Sequence, residues 1–274
     1  MRQRMKYSII TINYNNREGL RKTIESVVNQ TCTDFEYIVI DGGSTDGSVD
    51  VIKQYAARID FWVSEPDKGI YNAMNKGISH AHGEYLNFMN SGDCFHDANV
   101  LKELLPWLTA EVIFGRAYIP QINDYWKPYN KITLFSCFVG LCHQAILYHN
   151  DLFKNEVYDE HFRYVADWKF TTKKIVKEHC SYNCVDIVVA DYDLSGVSSA
   201  NEVQVKQERT EVLYSLFPSG VADDYMFFAQ LRTPLLEEIP LWVKHPALHK
   251  VIVRMVHLLT NFFKLVCRLT GKDF

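Results

Sequence analysis

Between Tyr7 and Met89 the chain repeats one pattern: a short apolar run, a polar corner, then apolar residues at helical spacing. "YSIITINY" and "FEYIVID" are continuous apolar runs with the length of strands buried on both faces. Between them Leu20, Ile24, Val27 and Val28 fall at i, i+4, i+7 and i+8, one face of a helix. Val49, Ile52 and Ala56 mark a second helix before the strand "DFWVS"; Ile70, Met74 and Ile78 mark a third before "GEYLNFM". Strands alternating with helices predict an α/β fold: a doubly wound, mostly parallel sheet with helices on both faces. Ligands of such sheets sit beyond the carboxyl ends of the strands. The polar clusters fall at those ends: Asn13-Tyr14-Asn15, Asp41-Gly42-Gly43-Ser44, Glu65-Pro66-Asp67-Lys68 and Asn90-Ser91-Gly92-Asp93. Four such corners on one edge predict a site.

Downstream the pattern is less regular. Residues 107–150 are aromatic-rich, and "CHQAILYH" reads as a strand with a histidine at its head. "YVADWKFTTKKIVKE" reads as a helix opened by Asp167, "VDIVVADYDLSGVSS" as a strand running into a turn, and residues 201–215 as a solvated helix.

The formal net charge of −4 gives no global case for nucleic-acid binding. The seven cysteines show no paired spacing, which fits reduced thiols and a cytoplasmic location better than a disulfide framework. His179, Cys180 and Cys184 lack the further ligands of a zinc site. No GxGxxG follows strand one, and "TINYNNREG" offers no triphosphate cradle, which argues against a dinucleotide oxidoreductase and a nucleotidyltransferase. The apolar run after Arg2, Arg4 and Lys6 is too short for a signal peptide, and no run is long enough for a transmembrane helix.

"SIITINYN", "QTCTDFEYIVIDGGSTDGS", "SEPDKGIYNAMNKGI" and "GEYLNFMNSGD", in this order, resemble the family 2 glycosyltransferases, most of all the bacterial branch that builds surface polysaccharide. A weaker match continues through "CHQAILYHNDLF" and "YVADWKF". The resemblance implies a nucleotide-sugar fold of the A type (GT-A) over residues 1–215, with a nucleotide-sugar half at 6–116 and an acceptor half at 117–215. Residues 216–274 form a C-terminal helical extension. It also implies roles. Thr11 and Asn13 lie where the nucleoside is held, and Asp41 where a carboxylate accepts from uracil, which makes a UDP-sugar the expected donor. Asp67, Lys68, Asn72 and Ser91 line the donor side, and His143, Gln144 and Trp168 the acceptor or diphosphate side.

Two acids carry the chemistry. Departure of a diphosphate creates negative charge that a hard cation with oxygen ligands neutralises. The family's acidic metal motif has two carboxylates; "NSGD" keeps the last alone, so Asp93 is expected to be the one direct carboxylate ligand of Mn²⁺ or Mg²⁺. An inverting transfer needs one base, and Asp167 falls where the family places it, with Asp159 and Glu160 as neighbouring rivals. The second departure is Asn72, where related sequences often carry Asp. Each residue also has a plainer reading: a turn acid at Asp93, a loop cap at Asp41, a helix cap at Asp167, a solvated Lys68, a structural His143, a core Trp168.

In the tail, Lys250, Arg254, His257, Asn261, Lys264 and Arg268 form one mostly basic stripe among Ile252, Met255, Val256, Leu259, Phe262, Phe263 and Val266. This reads as a helix in a membrane interface, or one packed on the core or a second subunit. The expected activity is inverting transfer of a hexose from a UDP-sugar to a lipid-linked saccharide at the inner face of the cytoplasmic membrane. The alternative is a nucleotide-sugar-binding protein without turnover.

Overall fold

The computed structural model describes residues 5–126, 131–139, 141–194, 201–230 and 245–270. The chain forms two compact units, Met1–Pro218 and Ser219–Phe274. In the first, β1 (Tyr7–Asn13), β2 (Phe35–Asp41), β3 (Phe61–Ser64) and β4 (Tyr85–Phe88) pair in parallel in the order β3-β2-β1-β4. Helices α1 (Arg17–Val28), α2 (Ser48–Gln54) and α3 (Ile70–Ser79) make the crossovers. Successive residues of a strand point to opposite faces. Accordingly, Ile9 joins one core with Leu20, Ile24 and Val27 of α1, while a Cβ on Gly77 of α3 would stand 2.4 Å from Ile10 Cγ2 on the other face. Each buried aliphatic side chain of α1 stabilises by about 1.5–3 kcal/mol before entropy is counted. In α2 the buried residues are Ser48, Val51 and Ile52, whereas Ala56 is exposed beyond the helix end.

Beyond β4 the sheet becomes mixed. β5 (Cys94–Phe95), β6 (Val112–Ile119), β7 (Asp124–Trp126), β8 (Ile146–His149) and β9 (Tyr182–Asp191) complete the order β3-β2-β1-β4-β8-β6-β9-β5, with β7 on β6. β8 runs antiparallel to both β4 and β6; β9 runs parallel to β6 and antiparallel to β5. The mostly parallel expectation therefore holds for the first half, and antiparallel strands extend it in the second. α4 (Val100–Leu104), α5 (Leu134–Val139), α6 (Ala166–Thr172), a π-turn at Lys173–Lys177 and α7 (Glu202–Leu216) complete this unit. α7 is not wholly solvated: Val212, Leu213 and Leu216 are buried.

The second unit holds α8 (Ser219–Gln230) and α9 (Pro246–Thr270). Along α9, Val251, Val253, Met255, Val256, Leu258, Leu259 and Phe262 are all exposed. Among the described residues no helix is long and apolar enough to cross a membrane.

Candidate functional site

Register builds the first corner. Asn13 pairs with Asp41 and Asp41 with Ser64, so these three residues form one row across β1, β2 and β3. Asp41 is fully buried, and its oxygens accept from Asn13 Nδ2 at 2.7 Å, Ser44 Oγ at 2.6 Å, Ser44 N–H at 2.9 Å and Ser64 Oγ at 2.6 Å. Burial pushes its carboxyl up, but the bonds from Ser44, Ser64 and Asn13 together outweigh that and hold it below the usual value. A carboxylate has about four acceptor sites, and protein donors occupy all of them. The expectation that Asp41 accepts from uracil is thus corrected: Asp41 is the hub that shapes the loop.

Two other expectations at this end change as well. Thr11 is fully buried, donating to the Met89 carbonyl at 2.8 Å and lying 3.0 Å from the Tyr37 hydroxyl, so it ties strands and faces no nucleoside. Asn13 holds Asp41, and its Oδ1 is buried without a partner. The half-buried Asp67 takes over the open position: a Cβ on Gly42 would stand 2.5 Å from Asp67 Oδ2 and 3.2 Å from the Tyr14 ring. Tyr14, 67% exposed, is an aromatic at this strand end that the sequence reading left unassigned. Lys68 is exposed beside Asp67, and its N–H donates to Asn72 Oδ1 at 3.2 Å. Asn72 Nδ2 in turn donates to Glu160 Oε2 at 3.0 Å, so an acid faces the position where relatives often carry Asp.

The second corner follows β4. Gly92 adopts φ +110, a conformation that favours glycine. Thr23 Oγ1 of α1 donates to the Asp93 carbonyl at 2.6 Å and accepts from Gly92 N–H at 3.0 Å. Ser91 Oγ donates to the Asn16 carbonyl at 3.2 Å, and Asn16 Nδ2 returns a bond to the Ser91 carbonyl, joining this corner to the start of α1. Asp93 is 6% exposed; Gln144 Nε2 donates to its Oδ2 at 2.8 Å and Asp193 N–H to its Oδ1 at 2.9 Å. Burial raises its carboxyl above the usual value, and these two bonds only partly oppose that. Asp193, unassigned from sequence, brings a second acid: a Cβ on Gly92 would stand 3.6 Å from its Oδ2.

The third element is α6. Tyr71 of α3 donates to Asp167 Oδ1 at 2.7 Å, and His143 Nδ1 lies 3.0 Å from Asp167 Oδ2. Burial pushes the Asp167 carboxyl up, but His143 and then Tyr71 outweigh it and hold the carboxyl below the usual range. Trp168 is corrected to a core residue: it is 4% exposed and Nε1 donates to the Cys137 carbonyl at 2.6 Å. Gln144, 3% exposed, is a support for Asp93 and faces no acceptor. The rivals Asp159 and Glu160 are committed elsewhere, Asp159 to Lys169 at 2.5 Å and Glu160 to Asn72 and Asn75.

The family profile described as "Glycosyl transferase family 2" matches residues 8–193, well over half of the chain. The chain belongs to glycosyl transferase family 2. Among this family chain's relatives, a PGL/p-HBAD biosynthesis glycosyltransferase of Mycobacterium bovis is 28% identical over 198 residues, covering 69% of the chain and 77% of that protein. Residues 1–349 of S. aureus TarS, solved with UDP-GlcNAc, match with a TM-score of 0.64 and 19% identity over 77% of this chain and 65% of that one. The mannosyltransferase PcManGT from Pyrobaculum calidifontis, solved with GDP-Man and Mn²⁺, matches at 0.61 and 14% identity over 99% and 89%. The likeness to the solved structures shows the GT-A fold, and the family membership makes the protein a glycosyltransferase.

Among the described residues no group of three His, Cys, Asp or Glu side chains could hold a metal by itself. Asp93 nevertheless fits a hard cation. Each of its oxygens accepts from one protein donor, Gln144 Nε2 or Asp193 N–H, and burial is only partly offset by them. Asp93 and Asp193 would hold Mn²⁺ or Mg²⁺ together with oxygens of a bound diphosphate.

Proposed function

We propose that this family 2 enzyme inverts configuration, moving a hexose from a UDP-sugar to a saccharide acceptor. The observation that carries the proposal is one connected polar edge. Asn13-Asp41-Ser44, Asn16-Ser91, Gln144-Asp93 and His143-Asp167 lie at the ends of β1, β2 and β4, on the 3-10 turn before β8 and in the first turn of α6, and ligands of such sheets sit beyond the carboxyl ends of the strands.

Asp67 and Tyr14 are the groups for the nucleoside: a carboxylate accepts from the N–H of uracil, and an exposed ring stacks on a base. A divalent cation, when bound at Asp93, would neutralise charge on the departing diphosphate. Asp167 takes the proton of the acceptor hydroxyl. The acceptor oxygen forms its bond to the anomeric carbon as the bond from that carbon to the diphosphate oxygen breaks, and the electron pair leaves with UDP. The low proton affinity of Asp167 keeps it ionised and ready at neutral pH.

We further propose a lipid-linked acceptor, reached through α9. Residues 246–270 contain no Asp or Glu, and Lys250, Arg254 and Lys264 accompany the exposed apolar residues of this helix. That combination suits an anionic membrane surface. Turnover is tested by UDP release from a panel of UDP-sugars with wild type and Asp167→Asn; no release from any donor would favour a binding protein. Docking is tested by sedimentation with phosphatidylglycerol vesicles before and after removal of residues 245–274; equal sedimentation would refute it.

A further inference from the structure

Helix α3 joins the loop that carries Asp67 to the carboxylate of Asp167. Side chains four residues apart share one face of a helix, which gives α3 two adjacent stripes: Tyr71 with Asn75, and Asn72 with Lys76. The first stripe reaches the base. Tyr71, 5% exposed, donates to Asp167 Oδ1 at 2.7 Å, and its ring packs tilted on that of Tyr158, centroids 5.6 Å apart. Asn75 clamps the backbone of Tyr158 with both ends of its amide. Its Nδ2 donates to the Tyr158 carbonyl at 2.8 Å, and its Oδ1 accepts from the Tyr158 N–H at 3.0 Å.

The second stripe reaches the donor loop. Asn72 Oδ1 accepts from Lys68 N–H at 3.2 Å, and Lys76 Nζ lies 2.7 Å from Glu65 Oε1 and 3.3 Å from the Pro66 carbonyl. Asp67, between these grips, accepts from Gly69 N–H at 2.8 Å at the start of the helix. Asn72 Nδ2 donates to Glu160 Oε2, so this residue ties both sides together. Exchanging either amide would set N–H against NH₂ and oxygen against oxygen, so the partners fix both orientations.

We infer that Tyr71 is a positioning residue for the base Asp167 and Asn72 one for the donor loop, so that adjacent residues of α3 set base and donor against each other. The inference rests on Asp167 being the base and Asp67 a nucleoside contact. The terminal torsion of an aspartate is broad, so a carboxylate held at one oxygen can still swing. Asp167 is held at both, by Tyr71 on Oδ1 and His143 on Oδ2, which fixes the direction of the lone pairs left for the acceptor proton. The Tyr71 hydroxyl bonds best to the ionised carboxylate, so it also keeps the base unprotonated in acid. The other titratable groups near Asp167 are His143 and Cys142 before β8, Tyr148 of β8 and Tyr158 before α6. Burial keeps the Cys142 thiol and the two hydroxyls neutral.

The test separates the two residues with the full chain, reading UDP affinity by calorimetry with Mn²⁺ and the kcat–pH profile by UDP release. Tyr71→Phe should bind UDP as the wild type does, while the acidic limb of its profile rises by about 1–2 pH units, the worth of one hydrogen bond to a charged group. Asn72→Ala should do the reverse: UDP binding weakened about threefold to tenfold, the worth of one neutral hydrogen bond, with the acidic limb unmoved. A wild-type limb in Tyr71→Phe overturns the first half, and wild-type UDP affinity in Asn72→Ala overturns the second. Both Asn72 bonds are solvent-exposed, so that variant keeps the fold. For Tyr71 the wild type gives a second measurement. At low temperature its hydroxyl proton, identified by contacts to its own ring protons, should exchange slowly and shift in Asp167→Asn. Absence of that proton overturns the first half whether or not Tyr71→Phe folds. Turnover retained in Asp167→Asn would instead sink the base assignment, and UDP binding unchanged in Asp67→Ala the nucleoside contact; neither outcome is shared by the α3 variants.

Discussion

Asp41 and Asp93 are both buried carboxylates at ends of parallel strands, yet their surroundings are opposite. Asp41 receives four hydrogen bonds and its proton affinity is lowered; Asp93 receives two from Gln144 and Asp193, and its affinity is raised. The first carboxylate is satisfied by the protein and organises a loop. The second carries charge the protein leaves under-compensated, which is the condition of a group that awaits a cation. Under the proposed function, the count of donors, rather than burial or position, is what distinguishes the two acids.

The largest effect on this comparison should come from Asp41→Asn. It replaces an ionised hub with an amide that cannot accept at both ends, leaving buried donors from Ser44 or Ser64 unpaired at a cost of about 3–5 kcal/mol. Thermal unfolding should show a large fall; an unchanged midpoint would make Asp41 dispensable. Gly92→Ala should follow, at about 1–3 kcal/mol, because a side chain is strained at φ +110. Chemical denaturation reads that loss, and a neutral result would mean the corner has another conformation.

Asp93→Asn should have the smallest stability effect and the opposite sign: neutral or stabilising with chelator present, since it removes an under-compensated charge. The pH dependence sharpens the contrast. Asp41, with a lowered folded pKa, contributes stability that is present above the unfolded carboxyl value and lost as pH falls through the folded one. Asp93, with a raised folded pKa, binds its proton more tightly when folded, so metal-free stability declines as pH rises from the unfolded value through the folded one. Wild type and Asp93→Asn should converge in acid and diverge toward neutrality; parallel curves would refute the assignment.

Periodicity made the parallel half legible, because β1 to β4 are buried runs separated by amphipathic helices. It failed for β6, where Gly115 and Arg116 interrupt an otherwise apolar strand, and for β5, which is two residues long. Gly115 is required by packing, since a Cβ there would stand 2.3 Å from Val189 Cγ2, and no local pattern announces that. In the site, Asp93 and Asp167 stand out in sequence because their motifs are local. Their pairings do not: Gln144 lies 51 residues from Asp93, and Tyr71 lies 96 from Asp167. Asp41 was misassigned because its donors are set by lateral register across three strands. The face that Thr11 occupies, and the choice between a sugar-facing and a core Trp168, were not legible because a motif position does not reveal where a side chain points.

The most direct measurement is calorimetric titration of UDP into wild type and Asp93→Asn, with and without Mn²⁺. Metal-dependent binding in the wild type, lost in a folded Asp93→Asn, is the predicted result. Tight UDP binding that ignores both the metal and the substitution would contradict the diphosphate corner on which the proposed mechanism depends.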